Sequence, residues 1–280
     1  MKKRILFSIV AMIVVFFLAG CTEIDQPITE DSEGIWNKLV VYPLSWAIVK
    51  LAEFFGTNWG YGFSIIVLTI IIRLLILPLM LNQTKSMKKM QLIQPELQKL
   101  REKYSSKDAV TQQKLQQAQM LLFEKYDINP LSGCLPLLIQ MPILVGFYHA
   151  IVRTEQLDGQ SFLWFPLDRP DPYFILPVIA GVFTYLQQKV MSQGQEANPQ
   201  MAMMLRILPI MIVIFSLYLP AALPLYWVIG NIFTIIQNQF IKMPELEDLS
   251  AIETKQAAPK RKKVKTAKSS VSGHAGGRKK

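Results

Sequence analysis

Four stretches of this chain contain no Asp or Glu and consist mainly of Leu, Ile, Val, Phe and Met: residues 61–81, 134–152, 173–191 and 205–241. Together they make 96 residues, and a helix needs about 20 apolar residues to cross ~30 Å of hydrocarbon. The last stretch divides at Leu219-Pro220-Ala221-Ala222-Leu223-Pro224, so the chain holds apolar sequence for roughly five crossings. One water-soluble core is excluded. The expected fold is an all-α polytopic membrane protein with spans at 61–81, 134–152, 173–191, 205–223 and 224–241.

Residues 1–20 read as a secretory signal: Lys2-Lys3-Arg4, an apolar core from Ile5 to Phe17, then Leu18-Ala19-Gly20 before Cys21. Leu-Ala-Gly-Cys resembles the bacterial lipobox, which implies covalent diacylglycerol and N-acyl (palmitate-type) lipid on Cys21. An uncleaved anchor is the alternative. Cys134 reads as a small packing residue near a membrane face. Two cysteines are too few for a disulfide framework, and two distant histidines, His149 and His274, make no metal site. No cofactor beyond the lipid is expected.

A lipid on Cys21 places residues 21–60 outside the cell. The first span then delivers 82–130 inside, 153–172 is an outer loop, 192–204 an inner connection, and 242–280 an inner tail. Basic residues test this independently, because loops that stay inside are enriched in Lys and Arg. Of the 30 Lys and Arg, 22 fall in or beside the proposed inner segments. Within 21–60, Ile35–Phe55 reads as an outer interfacial amphipathic helix broken or bent by Pro43, and Phe162-Leu163-Trp164-Phe165 as a second interfacial anchor. Residues 82–130 read as a helical hairpin with an apolar seam from Met90 to Tyr104 and from Leu115 to Leu122. Asp108 is its expected N-cap, and Pro95 marks a kink or the true start of its first helix. The tail after Pro259 is too basic and polar to build a core.

Arg73 lies inside the first span. An arginine at a helix centre costs about 2.5–3.5 kcal/mol on insertion scales, whereas each Leu, Ile, Val or Phe returns about 0.3–0.6 kcal/mol. Fourteen such residues in 61–81 still carry the span into lipid. Intramembrane charges usually pair, but no expected span holds a carboxylate. Three readings remain: snorkelling to the interface, capture by carbonyls and polar side chains in a dry interior, or exposure in a water-filled cavity whose uncancelled charge attracts anions. Thr69 is one turn away on the same face. Gln140, Thr184, Gln187 and Gln188 lie in other spans, and Trp227, Asn231, Thr234 and Asn238 share one face of the last. Together they favour a hydrophilic groove. The chain has no phosphate-binding GxxxxGK[ST] loop, no HExxH, no GxSxG and no intramembrane pair of aspartates, so neither an ATP motor nor an intramembrane protease is indicated; no enzyme is expected.

Ile71-Ile72-Arg73-Leu74-Leu75-Ile76-Leu77-Pro78-Leu79, Asn129-Pro130-Leu131-Ser132-Gly133-Cys134-Leu135-Pro136, Gln140-Met141-Pro142-Ile143, Asn198-Pro199-Gln200-Met201 and Leu225-Tyr226-Trp227 resemble the YidC/Oxa/Alb family of membrane protein insertases, in its Gram-positive, SpoIIIJ-like lipoprotein branch. The resemblance implies a multi-pass protein of the bacterial cell membrane that inserts and helps fold integral membrane proteins, alone or with the Sec translocon. It implies five helices around a groove lined by Arg73, Gln140 and Trp227. It makes 82–130 the cytoplasmic cap that meets substrates. Nascent proteins with acidic extracellular tails are the expected partners, the tail moving past Arg73 without nucleotide. The basic tail has three readings: a ribosome contact, a contact with anionic lipid, or a topology signal. Rival functions are a small-molecule or anion transporter and a passive assembly scaffold.

Overall fold

A computed structural model describes residues 26–56, 58–126, 128–129, 135–192 and 199–241. The signal segment, Cys21, Cys134 and the basic tail lie outside these residues. The described chain is almost wholly helical. A π-helical turn, Asn37–Val41, leads into α1 (Tyr42–Phe55); α2 is Gly60–Leu92, α3 Gln94–Lys103, α4 Ala109–Lys125 and α5 Leu135–Arg153. A short 3-10 turn (Glu155–Leu157) and a two-stranded antiparallel hairpin, β1 (Ser161–Phe162) with β2 (Phe165–Pro166), precede α6 (Ile175–Met191), α7 (Pro199–Ser216) and α8 (Ala222–Phe240). Helix α2 packs on α1 and α8, and α6 packs on α7 and α8.

Large apolar side chains point outward as well as inward. Leu74 and Leu75 of α2, Val178 and Val182 of α6, and Ile210 and Phe215 of α7 are all exposed. An apolar exterior on this scale suits hydrocarbon rather than water. Only α2, at 33 residues, is long and apolar enough among the described residues to cross a membrane by length and composition; Leu138–Arg153, Ile175–Met191 and Leu205–Ser216 are shorter apolar segments.

Several boundaries differ from the sequence reading. The first helix does not stop at Leu81 but runs to Leu92, because Asn82–Leu92 contains neither Gly nor Pro. The hairpin proper is therefore α3 and α4. Pro95 sits in the first turn of α3, where its missing N–H breaks no helical bond. Asp108 caps α4, its Oδ1 accepting from Thr111 N at 2.8 Å. Ile93, Leu97, Leu122, Tyr126 and Ile128 bury themselves between these elements; the last two lie beyond the expected seam. The helix expected at 205–223 spans Pro199–Ser216 instead. Pro199 favours a first helical turn, and the chain then turns so that Ala221 N donates to Arg169 O at 2.8 Å.

Two segments expected at the interface each bury one face and expose the other. Phe162 and Phe165 are 5% and 1% exposed, leaving only Leu163 and Trp164 of that tetrapeptide outward. The hairpin returns both phenylalanines to one face, and Phe162 lies so close to α2 that a Cβ on Gly62 would stand 2.1 Å from its ring. Pro43 does not break the Ile35–Phe55 helix. It occupies the first turn of α1, after the π-helical turn, and Val41 and Ile48 on its inner face are fully buried.

Helix α6 starts at Phe174–Ile175 without a side-chain cap from its own N-cap residue. The buried carboxylate of Asp171 replaces it, accepting from Leu176 N at 2.7 Å and Tyr173 N at 3.0 Å. Asp171→Ala is expected to lower stability by about 0.5–2 kcal/mol, the usual value of a lost cap, read as a lower Tm in detergent. At Asp108 the bonds from Ser106 and Thr111 hold the carboxyl far below the usual carboxylate range. The folded-state value is the lower one, so its contribution is full above the ordinary Asp range and disappears only as pH falls through that depressed value. Hairpin helicity is therefore expected to persist from pH 7 through pH 4 in the wild type and to be reduced throughout that range in Asp108→Ala, as followed by amide exchange.

Candidate functional site

The face of α2 turned toward its neighbours carries Ile65, Leu68, Thr69, Arg73, Met80 and Thr84, all buried, while Ile70, Ile71, Leu74, Leu75 and Leu79 face outward. Helical spacing puts Arg73 on the inner stripe, where it is 9% exposed. Its Nη2 donates to Gln140 Oε1 of α5 at 3.2 Å. Gln140 Nε2 in turn donates to the Tyr226 hydroxyl of α8 at 2.6 Å, and Tyr226 stacks on Phe147 with ring centroids 4.5 Å apart. The other side of the guanidinium lies against α8 at Gly230. A Cβ there would be 2.5 Å from Nη2 and 3.2 Å from Cζ and Nε. A side chain at this position would have to displace the guanidinium.

A guanidinium has five N–H donors, and Gln140 takes the only hydrogen bond that Arg73 makes among the described residues. No carboxylate pairs with it there. No guanidinium nitrogen is a sealed atom without a partner, so the unused donors keep contact with the surface. Arg73 is thus held by a polar side chain and a bare backbone face, not drawn out along the lipid side of its helix. The side chain turns inward and is largely closed off by its neighbours.

The remaining residues singled out in the sequence fall in different places. Asn231 Nδ2 donates to Thr184 Oγ1 at 2.9 Å, joining α8 to α6. Thr69 and Thr234 are buried on the inner faces, but each hydroxyl donates to its own helix, to Ile65 O at 2.6 Å and Gly230 O at 2.9 Å. Trp227 is half-buried against the apolar core and makes no polar contact with Arg73 or Gln140. Gln187 turns along its own helix toward Met191 Sδ at 3.2 Å. Its neighbour Gln188 is the buried one, and its Oε1 has no partner among the described residues.

Sequence reasoning missed Tyr226 and Gly230. A tyrosine beside a tryptophan gave no sign of which ring turns inward. The only signal for Gly230 was a glycine one helical turn from Trp227 and Thr234, the residues of the polar face.

Comparison with known proteins follows the same residues. A family model described as "60Kd inner membrane protein" matches residues 50–247. The chain is 58% identical over 247 residues to "Membrane protein insertase MisCA" of Bacillus subtilis, covering 88% of this chain and 94% of the relative. It is 56% identical to "Membrane protein insertase YidC 2" of Bacillus anthracis, covering 88% and 96%. Among solved structures it is similar to "Active YidC insertase crystal structure with the first transmembrane domain resolved", with TM-score 0.60 and 26% identity. That match covers 75% of this chain and 48% of the solved one, so the chain spans about half the length of that insertase.

A buried cation without an anion costs desolvation that one amide oxygen does not return, and an apolar replacement of similar size is often neutral or stabilising. Arg73→Met is therefore expected to leave the Tm in detergent unchanged or raise it. Gly230→Ala is expected to destabilise by about 1–3 kcal/mol through overpacking. In an Arg73→Met background the same change should lose most of its effect, because the guanidinium it would displace from Gln140 is gone. Equal penalties in both backgrounds would mean that Gly230 matters for another reason.

Proposed function

The chain belongs to the family of YidC membrane protein insertases, and from that premise we propose that Arg73 is the groove cation that draws the acidic tail of a nascent protein into the membrane. The activity is membrane protein insertion, not a catalysed reaction, and the substrates are nascent membrane proteins. One observation carries the proposal for Arg73: a guanidinium on the inner stripe of the longest apolar helix, bonded to one amide oxygen and to no carboxylate among the described residues. A cation so placed has unused capacity for an anion, and the low dielectric around it strengthens that attraction.

In this reading α2, α5, α6, α7 and α8 are the five crossing helices, with the chain's start outside and its end inside, and Gln140 and Tyr226 aim the guanidinium. Thr69, Gln187, Asn231, Thr234 and Trp227 line the path. Cys21 carries the lipid anchor. The substrate's acidic tail pairs transiently with Arg73 while its apolar segment moves along α6 and α8 into lipid. Burial of that segment at about 25 cal/mol per Å² drives the step, and the membrane potential adds about 2.3 kcal/mol per charge per 100 mV on the acidic tail. The basic tail 242–280 contacts the ribosome or anionic lipid, and the Sec translocon is a further candidate partner.

Reconstituted insertion of a single-span substrate with an acidic tail tests the role of Arg73. Arg73→Ala is expected to abolish insertion, and Arg73→Lys to retain most of it. Arg73→Glu should fail for acidic tails. Full activity in Arg73→Glu would remove the electrostatic step from the mechanism.

A further inference from the structure

Fifteen residues beyond Arg73, about 22 Å along α2, stands a second buried cation. Lys88 is 7% exposed. Its Nζ donates to the carbonyl oxygens of Asn238, at 3.4 Å, and Ile241, both at the C-terminal end of α8. One turn on, Gln91 Nε2 donates to Met191 O at 2.6 Å, at the end of α6. Asn238 Nδ2 donates to Val190 O at 3.3 Å and ties α8 to α6. Three side chains thus close a ring joining α2, α6 and α8, the helices that carry Arg73, Thr184 and Tyr226. The ring sits where α3 and α4 leave the helix bundle.

The acceptors in this ring are carbonyls at helix C-terminal ends, which lack intrahelical donors and carry partial negative charge. A lysine satisfies them well. Its ammonium nevertheless has only neutral acceptors, and a carboxylate would add the attraction between two full charges, which a carbonyl dipole does not supply. Between Lys88 and Arg73 on the same helix lies Gln83, 3% exposed, whose Oε1 and Nε2 both lack partners among the described residues. The interior behind the ring therefore holds polar groups that the described chain does not complete.

We propose that this ring is a latch closing the groove at its α3–α4 end, and that Lys88 is its release: an acidic segment of an arriving substrate takes the ammonium from the two carbonyls and frees α2 from α8 and α6. The proposal rests on the reading of Arg73 as the groove cation, and it adds an earlier anion-recognising step at the mouth. Gln91 and Asn238, being uncharged, set the closed position; Lys88 alone responds to charge. A purely structural cap would hold the same helices but would not respond to an acidic ligand.

The test uses the full chain in liposomes, with Cys134→Ser and a single reporter cysteine, Gln237→Cys, at a position 8% exposed on α8. The matching protein with Gln237 intact gives the background labelling. An aspartate-rich peptide is expected to speed maleimide labelling about tenfold, equivalent to ~1.4 kcal/mol in the opening equilibrium. A lysine-rich peptide should not. Lys88→Met should label fast without peptide and lose the response, and Lys88→Arg should keep it. Separately, a disulfide between Gln91→Cys and Met191→Cys is expected to block insertion until it is reduced. An unchanged peptide response in Lys88→Met, or full insertion by the crosslinked protein, would overturn the latch. Failure of the underlying reading registers elsewhere, as normal insertion by Arg73→Ala with the labelling response intact.

Discussion

A positive charge inside an apolar helix, bonded among the described residues to a single amide oxygen, is the constraint from which the arrangement of this protein follows. With no anion partner among the described residues, the side chain is expensive to bury, so every feature that keeps it in place needs a reason. The orientation of α2 turns the arginine away from the lipid-type exterior. Gln140 takes one donor and is itself aimed by Tyr226. Gly230 gives up a side chain so that the guanidinium can rest on α8. Three helices are thereby committed to one cation, an arrangement that offers little to stability and a great deal to anything carrying negative charge.

The two ends of the bundle are built differently. Around the β hairpin Phe147, Ile151, Leu157, Phe165, Leu167 and Leu223 are each 0–1% exposed, with His149, Arg153 and Asp171 buried among them. Toward α3 and α4 the buried residues include a run of polar ones, Gln83, Thr84, Lys88, Gln91, Gln188 and Gln237. Apolar packing is hard to separate, whereas side-chain bonds to carbonyls exchange readily with water or with a better acceptor.

Much of this was legible in the residues. Acid-free apolar stretches located the long helices because hydrocarbon admits little else, and Arg73 stood out because no carboxylate accompanies it in any of them. The family motifs around Arg73, Gln140 and Leu225–Trp227 carried the function. Asp108 was readable as a cap because capping is local chemistry. Tertiary contacts were not readable. Phe162 and Phe165 looked like an interfacial anchor because an exposed and a buried aromatic have the same composition, and only the hairpin's pairing decides between them. The end of the first helix was misplaced because residues 82–92 are polar yet good helix formers, so the change in polarity did not coincide with a change in backbone. Trp227 was preferred to Tyr226, since adjacent residues differ by about 100° on a helix and no pattern fixed the rotation. The placement of Lys88 was hidden because its partners are backbone carbonyls at the end of α8, 150 residues away.

The central claim is a direct electrostatic coupling between Arg73 and the substrate. A double-mutant cycle measures it, pairing wild type and Arg73→Ala with a substrate whose tail carries aspartates or the matching asparagines, and reading insertion rate in each of the four combinations. The account predicts that removing the aspartates slows insertion strongly in the wild type and hardly at all in Arg73→Ala. Equal slowing in both proteins would show that the charge on the tail is read somewhere other than at Arg73, and would contradict it.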